Sequence, residues 1–172
     1  MKMTFKALWD SATRLNPWRK NYTSSKKRIL NSVVPFVGTK TLLFSFTHWG
    51  LTEPSMHLTN ILVQDCEILT EDPNDPNFMK MAYKGVDYWF RKLDLAKQPV
   101  LTRCSCSDYY FCWAFPNYMH GLLFGPKPRT YVKKIGSNRP PRNIHGYPGC
   151  CKHLCNSALI MQTSGWAVGK YR

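Results

Sequence analysis

The sequence has few acidic residues, and they are unevenly placed. Ten Asp and Glu stand against 24 Lys and Arg, which gives a formal net charge of +14. Between Tyr109 and Arg172 there are nine Lys and Arg and no acidic residue. This excludes carboxylate-based acid–base catalysis from that part of the chain. Such a charge distribution is typical of proteins whose ends contact phosphates or acidic protein surfaces, although a basic, solubilising surface is the simpler alternative.

Long apolar runs are also missing. No segment approaches the roughly 18 to 20 consecutive apolar residues that a membrane-spanning helix needs. The N-terminus has no apolar central region of signal-peptide length. We therefore expect a protein of a cytosol-like, reducing compartment that does not bind membranes. In that setting seven cysteines indicate metal binding or buried thiols ahead of disulfides.

Recognisable catalytic motifs are absent as well. The chain has neither a glycine-rich phosphate loop nor a His-Glu-x-x-His sequence. Cys151 and His153 are conceivable as a nucleophile and its base, but residues two apart at a helix start face different directions. We expect no enzyme activity and no small-molecule substrate.

Apolar residues are nevertheless abundant enough for a folded core. Hydrophobic residues make up 44% of the 172 positions and aromatic residues 14%, which suits one domain and argues against disorder. We predict an α+β fold, a small antiparallel β-meander with short helices. Residues 1–30 form a basic N-terminal arm in this interpretation, and residues 31–172 form the single domain.

The pattern of apolar residues and turn signals places the elements. Within the arm, "TFKALWDSATRL" has helical periodicity and stops at Asn16-Pro17. A second helix is expected over 107–120 with Ser107 or Asp108 as its N-cap, and a third begins at the "CCKHL" sequence and ends near Gly165. Strands are predicted within residues 31–98, and the predicted segments are Lys40–Trp49, Asn60–Leu69, Met79–Asp94 and, just beyond, Lys97–Cys104.

Residues 125–149 contain five prolines and four glycines and predict an extended basic insert without regular structure. Together with the N-terminal arm, this insert is the expected interaction surface. The basic residues assigned to it are Lys26, Lys27, Arg28, Lys127, Arg129, Lys133, Lys134, Arg139 and Arg142.

Four of the cysteines and histidines have the spacing of a structural metal site. Structural zinc takes four Cys or His ligands, commonly as two close pairs. Cys104 and Cys106 form one pair at the end of a predicted strand, and Cys151 and His153 form another at the start of a predicted helix. We predict that Zn²⁺ binds there and clamps the strands to the C-terminal helix. Two alternatives stay open: Cys112 or Cys155 replaces a ligand, or the thiols are buried without a metal.

The motif "RCSC…PGCCKHL" resembles the Cys-x-Cys…Cys-x-His pattern of SWIM-type zinc fingers, although 44 residues separate Cys106 from Cys151, more than a usual SWIM finger has. Over residues 100–160 the chain is similar to small SWIM-like virion proteins of contractile-tailed bacteriophages, cyanophages included. In those proteins "RC-C-DF-FR", a proline-rich "GRPPPPYRKK" and "PG-CKHL" recur in the same order. The resemblance makes Cys151 the ligand and Cys150 the occupant of a usually apolar position.

The resemblance implies a structural component of a tailed-phage virion, most simply in the tail or baseplate, that is assembled in the host cytoplasm. Its partners would be other virion proteins, in the tail, baseplate or neck. SWIM fingers are also associated with DNA and protein binding, so a nucleic-acid-binding module is the alternative. A neck or capsid position is a further structural alternative.

Overall fold

The structure, a computed structural model, describes residues 2–17, 27–49, 55–129, 143 and 145–169. Within these residues the chain forms three helices, a short 3₁₀ turn at Val37–Thr39 and nine strands. The strands are β1 (Lys27–Phe36), β2 (Thr41–Trp49), β3 (Met56–Val63), β4 (Ile68–Leu69), β5 (Phe78–Tyr83), β6 (Val86–Arg91), β7 (Leu93–Asp94), β8 (Val100–Cys104) and β9 (Ala167–Val168). This confirms the predicted α+β class with antiparallel sheets.

The main sheet is antiparallel, with strand order β1-β2-β3-β8. Strand β2 alternates strongly, and the side chains of Leu42, Phe44 and Phe46 on its inner face are fully buried. Ile61 and Val63 of β3 extend this apolar face. The alternation explains the strand, because a period of two places every second side chain on the core side.

A second antiparallel sheet, of order β4-β6-β5, lies between β3 and β8 in the sequence. Strands β5 and β6 form a hairpin whose turn residues, Lys84 and Gly85, both have positive φ. Such angles belong to the tight turns that match the twist of a hairpin. Strand β7 pairs in parallel with β9, so the residues after the last helix return to the domain.

Helix α1 (Phe5–Leu15) has the bounds that the sequence predicts: Thr4 caps it by accepting a hydrogen bond from Ala7 N, and it ends before Asn16-Pro17. In the structure this helix packs on the domain, across the expected division at residue 30. Its apolar side chains, Phe5, Leu8, Trp9 and Ala12, are buried in the core. Burying an aromatic or leucine side chain stabilises the fold by about 1.5–3 kcal/mol, so an amphipathic helix packs on the domain when a surface is available.

Backbone hydrogen bonds hold α1 to the stretch before β8. Lys6 N donates to Leu95 O, and Val100 N donates to Met3 O. Strand β1, which no predicted segment covered, begins at Lys27, inside the expected arm. Part of the proposed arm is therefore a component of the folded domain.

Helix α2 has three consecutive parts, an α-helical turn Ser107–Tyr109, a π-helical turn Tyr110–Ala114 and an α-helical turn Phe115–Met119. Pro116, which has no N–H to donate, follows the wider turn. The N-cap is Cys106, not Ser107 or Asp108 as the sequence suggested. The sulfur of Cys106 accepts the hydrogen bond from Tyr109 N that a cap oxygen usually takes.

Helix α3 (Lys152–Thr163) begins after Cys151 and is followed by Gly165 with φ of 77°, as expected from the sequence. Residues 125–129, 143 and 145–149 of the basic insert have no helix or strand, in line with the prediction. Lys26, Lys133, Lys134, Arg139 and Arg142 lie outside the described residues. None of the helices that the structure describes combines the length and the apolar character needed to cross a membrane.

Candidate metal centre

The four residues of the two predicted pairs meet at one point. Cys104, Cys106, Cys151 and His153 each offer one ligand atom, and these atoms all lie within 4.8 Å of one another. Cys104 Sγ is 3.8 Å from His153 Nδ1. All four side chains are at most 5% exposed.

Three elements deliver these side chains. Cys104 is the last residue of β8, where it lies opposite Thr59 of β3. Cys106 is the N-cap of α2, and Cys151 is the N-cap of α3, with His153 in the first turn. Two helix N-termini therefore face one strand end. This arrangement suits thiolates, because the N–H groups and the dipole at a helix N-terminus favour negative charge.

Backbone N–H groups already contact two of the sulfur atoms. Cys106 N donates to Cys104 Sγ at 3.4 Å, and Tyr109 N donates to Cys106 Sγ at 3.3 Å. Burial raises the pKa of Cys104 and Cys151 well above the usual value of a thiol. Hydrogen bonds from Cys104 and Cys151 lower the pKa of Cys106. Without a metal the cluster therefore keeps protons on sulfur that a bound cation would displace.

The donor set fits a structural zinc ion. Tetrahedral zinc with Zn–S distances of about 2.3 Å holds its ligand atoms about 3.8 Å apart. Cys104 Sγ and His153 Nδ1 have this separation, and no two ligand atoms of the cluster are more than 4.8 Å apart. Three thiols and one imidazole also complete the four-coordinate set, so that the protein itself leaves no position for water or substrate. The structure shows a cluster that can hold a metal ion, and the choice of zinc rests on the donor chemistry.

A buried amide group positions the loop before Cys151. Asn117 of α2 donates from Nδ2 to Gly149 O at 2.9 Å and accepts from Gly149 N at Oδ1, also at 2.9 Å. The same Nδ2 donates to Tyr109 Oη, and Tyr109 donates to Thr102 O of β8. The network connects β8, α2 and the approach to α3, the three elements that carry the ligands. Sequence reasoning missed Asn117 and Tyr109.

A second network lies behind His153. The Nε2 atom of His48 is 2.8 Å from Ser157 Oγ and 3.1 Å from Thr59 Oγ1, and Ser157 donates to His153 O. Burial, followed by the charge of His153, lowers the pKa of His48 to about 3, so this ring is neutral at physiological pH. His57 lies beside the ligand, with its ring centroid 4.6 Å from that of His153. The sequence predicts His48 and His57 only as packing or surface residues.

The remaining cysteines lie outside this cluster. Cys66, Cys112 and Cys155 are buried, as predicted for core residues, and neither Cys112 nor Cys155 replaces a ligand in the group. Cys150 is buried too. Of the predicted basic interaction residues that the structure describes, Lys27, Lys127 and Arg129 are exposed and Arg28 is half-buried.

Comparison with protein-family models, with curated proteins and with solved structures finds no match to this chain. The assignment of a metal to the cluster therefore rests on the geometry and chemistry of its four ligand residues.

Proposed function

We propose that the chain is a zinc-stabilised structural component of a contractile-tailed bacteriophage virion, in the tail or baseplate, assembled in the host cytoplasm. The observation that carries the structural part is the closed Cys₃His cluster. Its four ligand atoms are buried and come from the end of β8 and the starts of α2 and α3. A metal in such a position joins elements that are distant in sequence and has no open site for catalysis.

The assembly part of the proposal is supported by the surface of α2. Five of its apolar or aromatic side chains are 37–65% exposed, and these are Tyr110, Phe111, Phe115, Tyr118 and Met119. Lys127 lies over the ring of Tyr118, with 5.2 Å between Nζ and the ring centroid. Aromatic residues and Met are enriched where protein surfaces meet. The basic residues beside them suit a neighbouring subunit with an acidic surface. The phage assignment itself rests on the sequence resemblance.

The alternative is a nucleic-acid-binding module. Aromatic rings next to cations are also the usual means of stacking on bases while neutralising phosphates. The net charge of +14 favours this alternative.

The zinc proposal is tested by elemental analysis of the recombinant chain purified under reducing conditions. One zinc per chain is expected, and a variant with both Cys104→Ser and His153→Ala should contain almost none. Well under one zinc per chain in the wild type contradicts the proposal. Cys112→Ala, which removes a buried thiol outside the cluster, is the matched control and should keep its zinc.

The function is tested by mass spectrometry of intact particles and of purified tails from the phage that encodes the chain. We expect the protein in both preparations. A filter-binding titration with nonspecific duplex DNA at physiological salt tests the nucleic-acid-binding alternative. Submicromolar affinity that is lost when Lys127 and Arg129 are neutralised, together with absence from particles, favours nucleic-acid binding.

A further inference from the structure

Two cysteines outside the metal cluster lie in contact with each other. Cys150 Sγ and Cys155 Sγ are 3.5 Å apart, and the side chains are 0% and 3% exposed. Of the other two thiols outside the cluster, Cys66 donates to Val63 O and Cys112 donates to Asp108 Oδ1. Cys150 and Cys155 are therefore a pair of non-ligand cysteines whose sulfur atoms contact each other.

Their positions at the start of α3 explain the contact. Since Cys151 is the N-cap, Cys150 is the residue before the cap and Cys155 is the fourth residue of the helix. Apolar residues at these two positions commonly pack together and fix the direction in which the chain enters a helix. In this chain both positions carry thiols, and Cys155 N donates to Cys151 O to close the same turn. The contact is thus a property of helix geometry that persists as long as α3 is folded.

We infer that Cys150 and Cys155 are a disulfide-forming pair, oxidised by a low-molecular-weight disulfide such as oxidised glutathione. One cysteine sulfur, as the thiolate, attacks the S–S bond of the oxidant, which forms a mixed disulfide and releases one small thiol. The sulfur of the other cysteine, after losing its proton, attacks the protein sulfur of that mixed disulfide and releases a second small thiol. The protein loses two electrons and two protons, and the oxidant gains them.

Because both sulfur atoms are buried, the first attack requires a local opening at the start of α3 that exposes one of them to the oxidant. Closing the disulfide then requires only a small movement. An S–S bond is about 2.05 Å long, so the sulfur atoms must approach each other by about 1.5 Å. Rotation about the Cα–Cβ bonds moves sulfur over such a distance. Because neither residue belongs to the ligand group, the disulfide leaves Cys104, Cys106, Cys151 and His153 free to hold their metal. The pair is therefore a modification site next to the metal site and separate from it.

The test uses the purified chain with its own metal content measured before and after incubation with oxidised glutathione. After free thiols have been alkylated, the protein is digested with trypsin without reduction. Trypsin cleaves after Lys152, between the two cysteines, so a disulfide joins two peptides that otherwise separate. We expect this linked pair in the wild type, with unchanged metal content.

Single variants identify the sulfur atoms. Cys150→Ala and Cys155→Ala should each reduce the linked pair at least tenfold, and Cys66→Ala, the matched buried thiol, should leave it unchanged. Absence of the linked pair from the oxidised wild type overturns the inference. Linked peptides that persist in Cys150→Ala also overturn it, because the disulfide would then involve Cys151. Release of the metal when the disulfide forms overturns it as well. Circular dichroism of each variant verifies that α3 is folded in the chains being compared.

Discussion

Helices α1 and α3 have nearly the same length, 11 and 12 residues, but they are held in the fold by different interactions. Helix α1 buries an apolar stripe that contains Phe5, Leu8 and Trp9. Helix α3 buries apolar residues too, but His153, Asn156 and Ser157 are buried with them. The first helix packs mainly through this apolar stripe, with backbone hydrogen bonds near its start, whereas the second also depends on partners for its buried polar groups.

This difference determines how substitutions destabilise the packing of each helix. Apolar contacts are non-directional and weaken in proportion to the area that is lost. A buried polar group costs free energy unless it is hydrogen-bonded or bound to a metal. We therefore expect the α1 side of the core to lose stability gradually on substitution and the α3 side to lose it abruptly when a partner is removed.

The largest expected effect is removal of the metal. A structural zinc contributes on the order of 10 kcal/mol or more to the folding of small sites, so Cys104→Ser or treatment with a strong chelator should detach α3 from β8 and α2. Limited proteolysis is expected to cleave within residues 152–163 of the metal-free chain while strands β2 (Thr41–Trp49) and β3 (Met56–Val63) resist. Equal protection of both segments after chelation would show that α3 packs without the metal.

Removal of an apolar anchor from α1 should have a smaller effect. Phe5 is fully buried, and Phe→Ala substitutions in cores cost about 3–5 kcal/mol. We expect denaturant unfolding of Phe5→Ala to show that the free energy of unfolding falls by an amount in this range. The folded variant should keep its full metal content. Arg14→Ala, on the exposed side of the same helix, serves as the control and should stay within about 0.5 kcal/mol of the wild type. If the metal content falls in Phe5→Ala, the α1 and α3 sides of the core are not independent.

The sequence predicts α1 and the ligand pairs for the same reason: each is a pattern of neighbouring residues. Phe5, Leu8 and Trp9 recur with a helical period, and Cys104 and Cys106 are two residues apart. Strand β1 was not predicted, because Lys27–Phe36 begins with charged residues and contains Pro35. Its pairing with β2 also has an irregular register between Leu30 and Ser32.

The supporting networks of the site were not predictable, because their partners are distant along the chain. Asn117 bonds to Gly149, 32 residues away, and His48 approaches Ser157 across 109 residues. Nothing in the local sequence marks such pairs. Cys106 as an N-cap was missed for another reason, since capping preferences are defined by oxygen atoms and not by sulfur.

Gly149 offers a finer test of the α3 side. A Cβ atom at Gly149 would lie 2.4 Å from Cζ3 of Trp113, a buried ring with little freedom to move. Gly149→Ala should therefore cost about 1–3 kcal/mol, the usual range for overpacking, and weaken metal retention by shifting the loop that Asn117 holds. Thermal unfolding with and without a competing chelator measures both effects. Gly38→Ala, where the added Cβ has no neighbour within 4 Å, is the matched control. Similar losses in both variants would count against the clash as the cause.

The smallest expected effect concerns Cys66, a buried thiol in the apolar core and not in the metal cluster. Burial raises its pKa to about 12 from a reference value of 9.0. Above pH 9 the unfolded chain releases this proton while the native chain retains it, so the free energy of unfolding falls as pH rises. The loss is about 1.4 kcal/mol per pH unit, which amounts to about 1.4 kcal/mol at pH 10. Urea unfolding of the wild type and of Cys66→Ala at pH 8 and pH 10 isolates the contribution of Cys66 to the free energy of unfolding, because the other titrating groups affect both chains alike. Between pH 8 and pH 10 the difference in unfolding free energy between the two chains should shift by this amount in favour of the variant. A difference that does not change with pH would mean that Cys66 ionises in the folded protein as readily as in the unfolded chain.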